Sequence, residues 1–212
     1  MTHDPLALPD SPLAREVLDL VNRGLPPAIR NHSVRSFVFA RLVADHRELQ
    51  PGRDYDLDLL FCACALHDIG VGAGRGTGQR FEVAGADIAA ELLTRRGAPA
   101  AAVDAVWQAI ALNTAVGVVE RRGIIPTLTL GGVVADFIGD VPFVSDETAA
   151  TVHAAYPRLQ LGRALGEAIV AHVAADPARA PLFSAPAQIA KEYSTTHTTV
   201  PETLARSGRW GE

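Results

Sequence analysis

His67 and Asp68 are adjacent and end an apolar run, Leu57-Asp58-Leu59-Leu60-Phe61-Cys62-Ala63-Cys64-Ala65-Leu66. Two strongly polar side chains at the end of a buried helix are costly unless a partner satisfies them. A divalent metal is such a partner, because it takes an imidazole nitrogen and a carboxylate oxygen together. His32 upstream and Asp136 downstream could complete the shell. Two imidazoles and two carboxylates form a mixed set that Zn, Fe, Mn, Co and Ni all accept. Without a metal the doublet reads as a helix C-terminal cap with a buried ion pair, and His32 as a satisfied core histidine. Asp136 sits among apolar residues, Gly131-Gly132-Val133-Val134-Ala135-Asp136-Phe137-Ile138. A carboxylate buried there needs a cation or several donors.

These residues must be held by helices. Leu13, Val17, Leu20 and Val21 form a helical stripe over about 11–23, closed by Gly24. Pro26-Pro27 opens a second helix, where proline costs little. His32, Ser36, Phe39 and Val43 share one of its faces, so His32 points inward. Pro51-Gly52 is a break, and Asp54 or Asp56 can cap a third helix that runs to the doublet. The stretch from Ile69 to Gly78 alternates glycines and favours neither helix nor strand. Further helices are expected over 82–96, from Pro99 through Ile110, over 128–138, and near 146–155 and 160–175. After about 180 the chain is rich in proline and threonine, and 194–212 reads as a mobile tail. Alternating strand patterns are nearly absent, so the class is all-α.

The ordered pattern His32, His67-Asp68, Asp136 resembles the HD-domain metal-dependent hydrolases, an all-helical superfamily. The words Asn31-His32-Ser33-Val34-Arg35-Ser36, Leu66-His67-Asp68-Ile69-Gly70, Arg80-Phe81-Glu82-Val83-Ala84-Gly85-Ala86 and Ala109-Ile110-Ala111-Leu112-Asn113-Thr114 are similar to the cyanamide hydratase branch. The resemblance covers roughly residues 25 to 175. It implies a compact single-domain helical bundle of the HD type, with His32, His67, Asp68 and Asp136 as metal ligands. Residues 1–24 are then an N-terminal helix on the core, 25–180 the metal-binding domain and 181–212 a C-terminal extension. Where cyanamide hydratases carry a histidine in Ala-Leu-His-Thr, this chain has Asn113. No histidine lies between Ile69 and Ala135, which points to one divalent ion, with zinc first, rather than two.

A chain of 212 residues with 48% hydrophobic and 20% charged residues is ordinary for one globular domain. Its formal charge of -5 argues against a broad surface for nucleic-acid polymer. No apolar run approaches the ~20 residues a membrane span needs. Cys62 and Cys64 point to nearly opposite faces of a helix and read as buried inert thiols. A cytoplasmic, reducing location follows as the default.

The expected function is activation of water for attack on a small substrate. The resemblance suggests a nitrile-like carbon, as in cyanamide. Glu82, Asn113 and Thr114 are the candidate catalytic residues. Glu82 can equally serve the positive end of its helix. Arg35, Phe39, Arg80, Phe81 and Ile110 are the candidate substrate contacts. The glycine stretch is expected to cover the site. The alternatives are a nucleotide phosphohydrolase, using Arg35, Arg75 and Arg80 for phosphate, and a non-catalytic HD-fold binding or regulatory domain. Homo-oligomer formation is left open by the sequence.

Overall fold

The structure is a computed structural model that describes residues 4, 6–72 and 78–212. The described residues form a single compact all-helical domain. No strand occurs among them beyond an isolated bridge between Pro51 and Tyr55. No helix among them is long and apolar enough to cross a membrane.

Helix α1 (Pro12–Gly24) starts at Ser11, whose hydroxyl accepts the Ala14 N–H, and buries Ala14, Val17 and Val21. Helix α2 (Pro27–His46) has Pro27 in its first turn, and every residue from Asn31 to Ala40 is buried. Helix α3 (Leu57–Leu66) is capped by Asp56, which accepts the Leu59 N–H at 2.9 Å, and ends at the His67-Asp68 doublet. Leu60 to Leu66 are buried on all sides, so α3 is a core helix rather than an amphipathic one.

The glycine stretch departs in part from expectation. Ile69–Gly72 is a four-residue helix, α4. A Cβ on Gly70 would lie 1.9 Å from the Phe81 carbonyl oxygen, so glycine serves close packing there rather than freedom. Residues 73–77, with Arg75, lie outside the described residues, and with them the expected cover.

Helices α5 (Phe81–Arg95) and α6 (Ala100–Ala111) form an antiparallel pair beside α3. Turns and one 3-10 turn (Val119–Arg121) lead to α7 (Ile124–Ile138). This helix begins one turn earlier than expected. Pro126 lies in its first turn, where the backbone N–H would be unpaired in any case. The most extensive helix packing among the described residues is between α7 and α2. A Cβ on Gly132 would come within 2.0 Å of the Ser36 carbonyl oxygen, so the two backbones touch. That contact carries His32 and Asp136 to the same depth of the core.

Helices α8 (Asp146–Ala155) and α9 (Leu161–Ala175) follow. The Pro/Thr-rich end then forms α10 (Ala185–Thr196) and α11 (Val200–Ser207), the second of them within 194–212, where the sequence suggested a mobile tail. Its signature residues are helix starters. Ser184 and Thr199 accept the N–H groups of Ala187 and Glu202, and Pro186 and Pro201 lie in the first turns. Residues 209–211 return to α7, where Trp210 Nε1 donates to the Ala135 carbonyl at 2.7 Å and Arg158 donates to the Gly211 carbonyl.

Candidate metal centre

His32 comes from the second turn of α2, and His67 and Asp68 from the C-terminal end of α3. Each has one ligand atom within 4.8 Å of the other two, and all three residues are buried. The two Nε2 atoms lie 3.2 Å apart. Asp68 Oδ2 is 3.2 Å from the His67 Nε2 and 3.9 Å from that of His32.

The far side of each ring decides what the near side offers. His67 Nδ1 lies 2.7 Å from the Cys64 carbonyl oxygen, which can only accept, so Nδ1 carries the proton. His32 Nδ1 lies 2.6 Å from Asp136 Oδ2, and the same assignment follows. Both Nε2 atoms therefore present lone pairs to one point. Asp68 Oδ2 faces that point and accepts no hydrogen bond. Three buried acceptors without a donor between them are unfavourable unless a cation stands among them. The electrostatics agree. Burial opposes a charge on His67, but Asp68, the Cys64 carbonyl and Asp136 outweigh it and raise its pKa. Burial wins at His32, whose pKa is lowered despite Asp136. Burial would raise the Asp68 carboxyl, yet His67 and His32 hold it below its ordinary value. The pocket attracts positive charge, and its donor set suits a divalent ion.

The HD-domain family model matches residues 29–133, a span that contains His32, His67 and Asp68. The chain belongs to the HD-domain superfamily. Among curated proteins it is similar to two from Saccharomyces cerevisiae, cyanamide hydratase DDI2 and cyanamide hydratase DDI3. Each is 29% identical over 157 residues, covering 71% of this chain and 68% of the yeast protein.

Asp136, expected as the fourth ligand of this HD domain, stands behind His32 rather than beside the other three. Its carboxylate is closed by Arg35, with Nε on Oδ1 at 2.6 Å and Nη2 on Oδ2 at 2.8 Å. Arg158 donates to its backbone carbonyl. Both charged side chains of the Arg35–Asp136 pair are 0% exposed. Burial would raise the Asp136 carboxyl; the Arg35 charge and the hydrogen bonds to it hold it well below the usual range. Turning this carboxylate toward a metal would strand a buried guanidinium.

A cavity of about 150 Å³ opens on the three ligands. Asn113 and Thr114, which follow α6, supply its other polar edge, and Phe81 of α5 is also in its wall. Asn113 Nδ2 donates to the His67 carbonyl at 3.2 Å. Thr114 Oγ1 donates to Glu82 at 2.9 Å, and Arg80 pairs with the same carboxylate. Glu82 and Arg80 thus stand behind Thr114 and not in the wall.

Besides Arg80, three expected substrate contacts lie outside the wall. Arg35 also donates to the Tyr156 and Pro157 carbonyls and does not line the cavity. Phe39 stacks on Trp210 at 5.9 Å. Ile110 is core. In each case the residue type was compatible with a pocket, but the helix face it occupies is covered. Sequence reasoning missed Val133 and Phe137 of α7, Leu165 and Ile169 of α9, Ile189 of α10, and Pro201 and Leu204 of α11, which complete the wall. Their only signal is apolarity at helical spacing, which core residues share.

Proposed function

We propose that this metal-dependent HD-domain enzyme adds water to a small, uncharged, nitrile-like substrate. The observation that carries the reading is the cavity itself. It joins three metal-facing acceptors to an uncharged wall, with no cationic side chain among the described residues that line it. The names of the yeast relatives support the same chemistry.

His32, His67 and Asp68 would hold the ion, with Asp136 and the Cys64 carbonyl fixing the ring orientations from behind. Zinc is the first choice, and Fe, Mn, Co or Ni would fit the same donors. One ion per chain matches the one such cluster among the described residues. Bound there, the ion supplies Lewis acidity and a water of lowered pKa. Asn113 spends one amide hydrogen on His67, leaving its second N–H and its carbonyl for substrate. Thr114 spends its hydroxyl hydrogen on Glu82 and accepts from Arg80 Nη2 at 3.3 Å, so it meets substrate as an acceptor through its remaining lone pair. Glu82 is then a positioning residue acting through Thr114.

Phosphate hydrolysis would require free cations at the cavity. Of the candidates among the described residues, Arg35 is committed to Asp136 and Arg80 to Glu82; Arg75 lies outside them. The test is incubation of the zinc-loaded protein with cyanamide, small nitriles and a nucleotide panel. Urea or amide formation that disappears in Asp68→Ala supports the reading. Phosphate release with the same dependence would replace it.

A further inference from the structure

The polar lining of the cavity comes from α2, the end of α3 and the turn after α6. The elements α9, α10 and α11 contribute only apolar side chains, among them Ile169, Ile189, Pro201 and Leu204. These elements lie beyond residues 29–133, the span shared with the HD-domain model. The α11 helix is seated by two glycines one turn apart on α9. A Cβ on Gly162 would lie 2.6 Å from the Pro201 carbonyl oxygen, and one on Gly166 2.2 Å from Thr199 Oγ1. Side chains there would push α11 outward and take Pro201 and Leu204 from the wall. Leu204 is 43% exposed, so it stands at the rim.

We propose that α9–α11 form a subsite for an apolar substituent, and that the substrate is an organic nitrile carrying a compact uncharged hydrocarbon group. This rests on the hydratase reading above and extends it. The cavity of about 150 Å³ takes the ion and the nitrile group as well as the substituent, so its apolar wall suits a compact hydrocarbon group that can extend past the rim at Leu204. Cyanamide has only three heavy atoms, so it would stay beside the ligands, Asn113 and Thr114 and leave Ile169, Ile189, Pro201 and Leu204 without a partner. A nitrile R–C≡N lays its carbon and nitrogen among the ligands, Asn113 and Thr114, and its R group against Ile189 and Leu204. The balance is R–C≡N plus water giving R–C(=O)–NH2. The water oxygen bonds to the nitrile carbon, and one C–N π pair moves to nitrogen, which takes a proton. Loss of the remaining O–H proton and its gain by nitrogen yield the amide, with no oxidant or reductant required.

The experiment uses the full zinc-loaded chain with cyanamide, acetonitrile, isobutyronitrile and benzonitrile, and measures benzamide binding by calorimetry. Each buried methylene is worth about fourfold, so kcat/KM should rise along the nitrile series by about tenfold or more. Leu204→Asp, at the rim, should cut the benzonitrile-to-acetonitrile ratio by about tenfold and weaken benzamide equally. Leu204→Trp, which narrows the cavity without adding charge, should also penalise benzonitrile more than acetonitrile. A flat or falling series with cyanamide best, or benzamide binding indifferent to Leu204, overturns the subsite. If no nitrile and no cyanamide reacts, the hydratase reading and the nitrile assignment fail together. The apolar subsite then stands if benzamide binds in a Leu204-dependent way and falls if it does not.

Discussion

Arg35 grips both oxygens of the Asp136 carboxylate, at 2.6 and 2.8 Å, with neither side chain exposed. The same carboxylate receives the His32 Nδ1 proton. A buried ion pair therefore sets the orientation of a metal-facing imidazole. Asp136→Asn keeps the shape but leaves Arg35 unpaired. It should cost about 3–5 kcal/mol in denaturant unfolding. In the fraction that folds, metal affinity should drop about 10–100-fold without vanishing. Competition with a chelator of known affinity measures this, and complete loss from a folded variant would make Asp136 a ligand after all.

Gly132 is the point where α7 touches α2. A methyl group there meets the Ser36 carbonyl 2.0 Å away, and backbone cannot yield as a side-chain tip can. Gly132→Ala should destabilise the fold by about 1–3 kcal/mol, at the upper end, and part His32 from Asp136. Thermal unfolding with and without zinc reads both effects. An unchanged midpoint would mean that the helices can slide apart freely.

Cys62 and Cys64 are fully buried, and burial pushes both thiols up to about 12. The thiolate is the reactive form, so almost none is present at pH 8. A thiol reagent should label neither residue in the native protein and both in denaturant. Rapid native labelling would show that α3 opens readily.

His172 packs edge-on to Phe81, and its Nε2 lacks a hydrogen-bond partner. Burial first, then the Arg179 charge, lower its pKa. Below about pH 6.5 the unfolded chain binds this proton more readily than the folded one. Stability should therefore fall as pH drops from about 6.5 toward the folded value, and be unaffected by this group at higher pH. His172→Gln should flatten that part of the curve relative to wild type. Parallel curves for the two proteins would rule the contribution out.

The doublet and His32 were legible in the sequence because their chemistry is local. Polar ligands interrupt apolar helices, and the interruption is visible without knowing the fold. The helices were legible through period, caps and proline placement. Asp136 was legible as a buried acid needing partners, but the sequence did not say which. Arg35 lies about a hundred positions away, and one-dimensional pattern carries no direction for its guanidinium. The end of the chain, 194–212, reads as a tail because Thr199-Val200-Pro201 has loop composition while acting as a helix start. The cavity wall stayed hidden for a related reason. Ile169, Ile189 and Leu204 are ordinary apolar helix residues until α11 is brought onto α9.

The most direct test of the central claim is metal content by mass spectrometry on protein purified with zinc. Wild type should carry about one divalent ion per chain, and folded His67→Ala and Asp68→Ala about a tenth of that or less. Full metal content in either folded variant, or none in wild type across the divalent series, would contradict the assignment of His32, His67 and Asp68 as the metal-binding set.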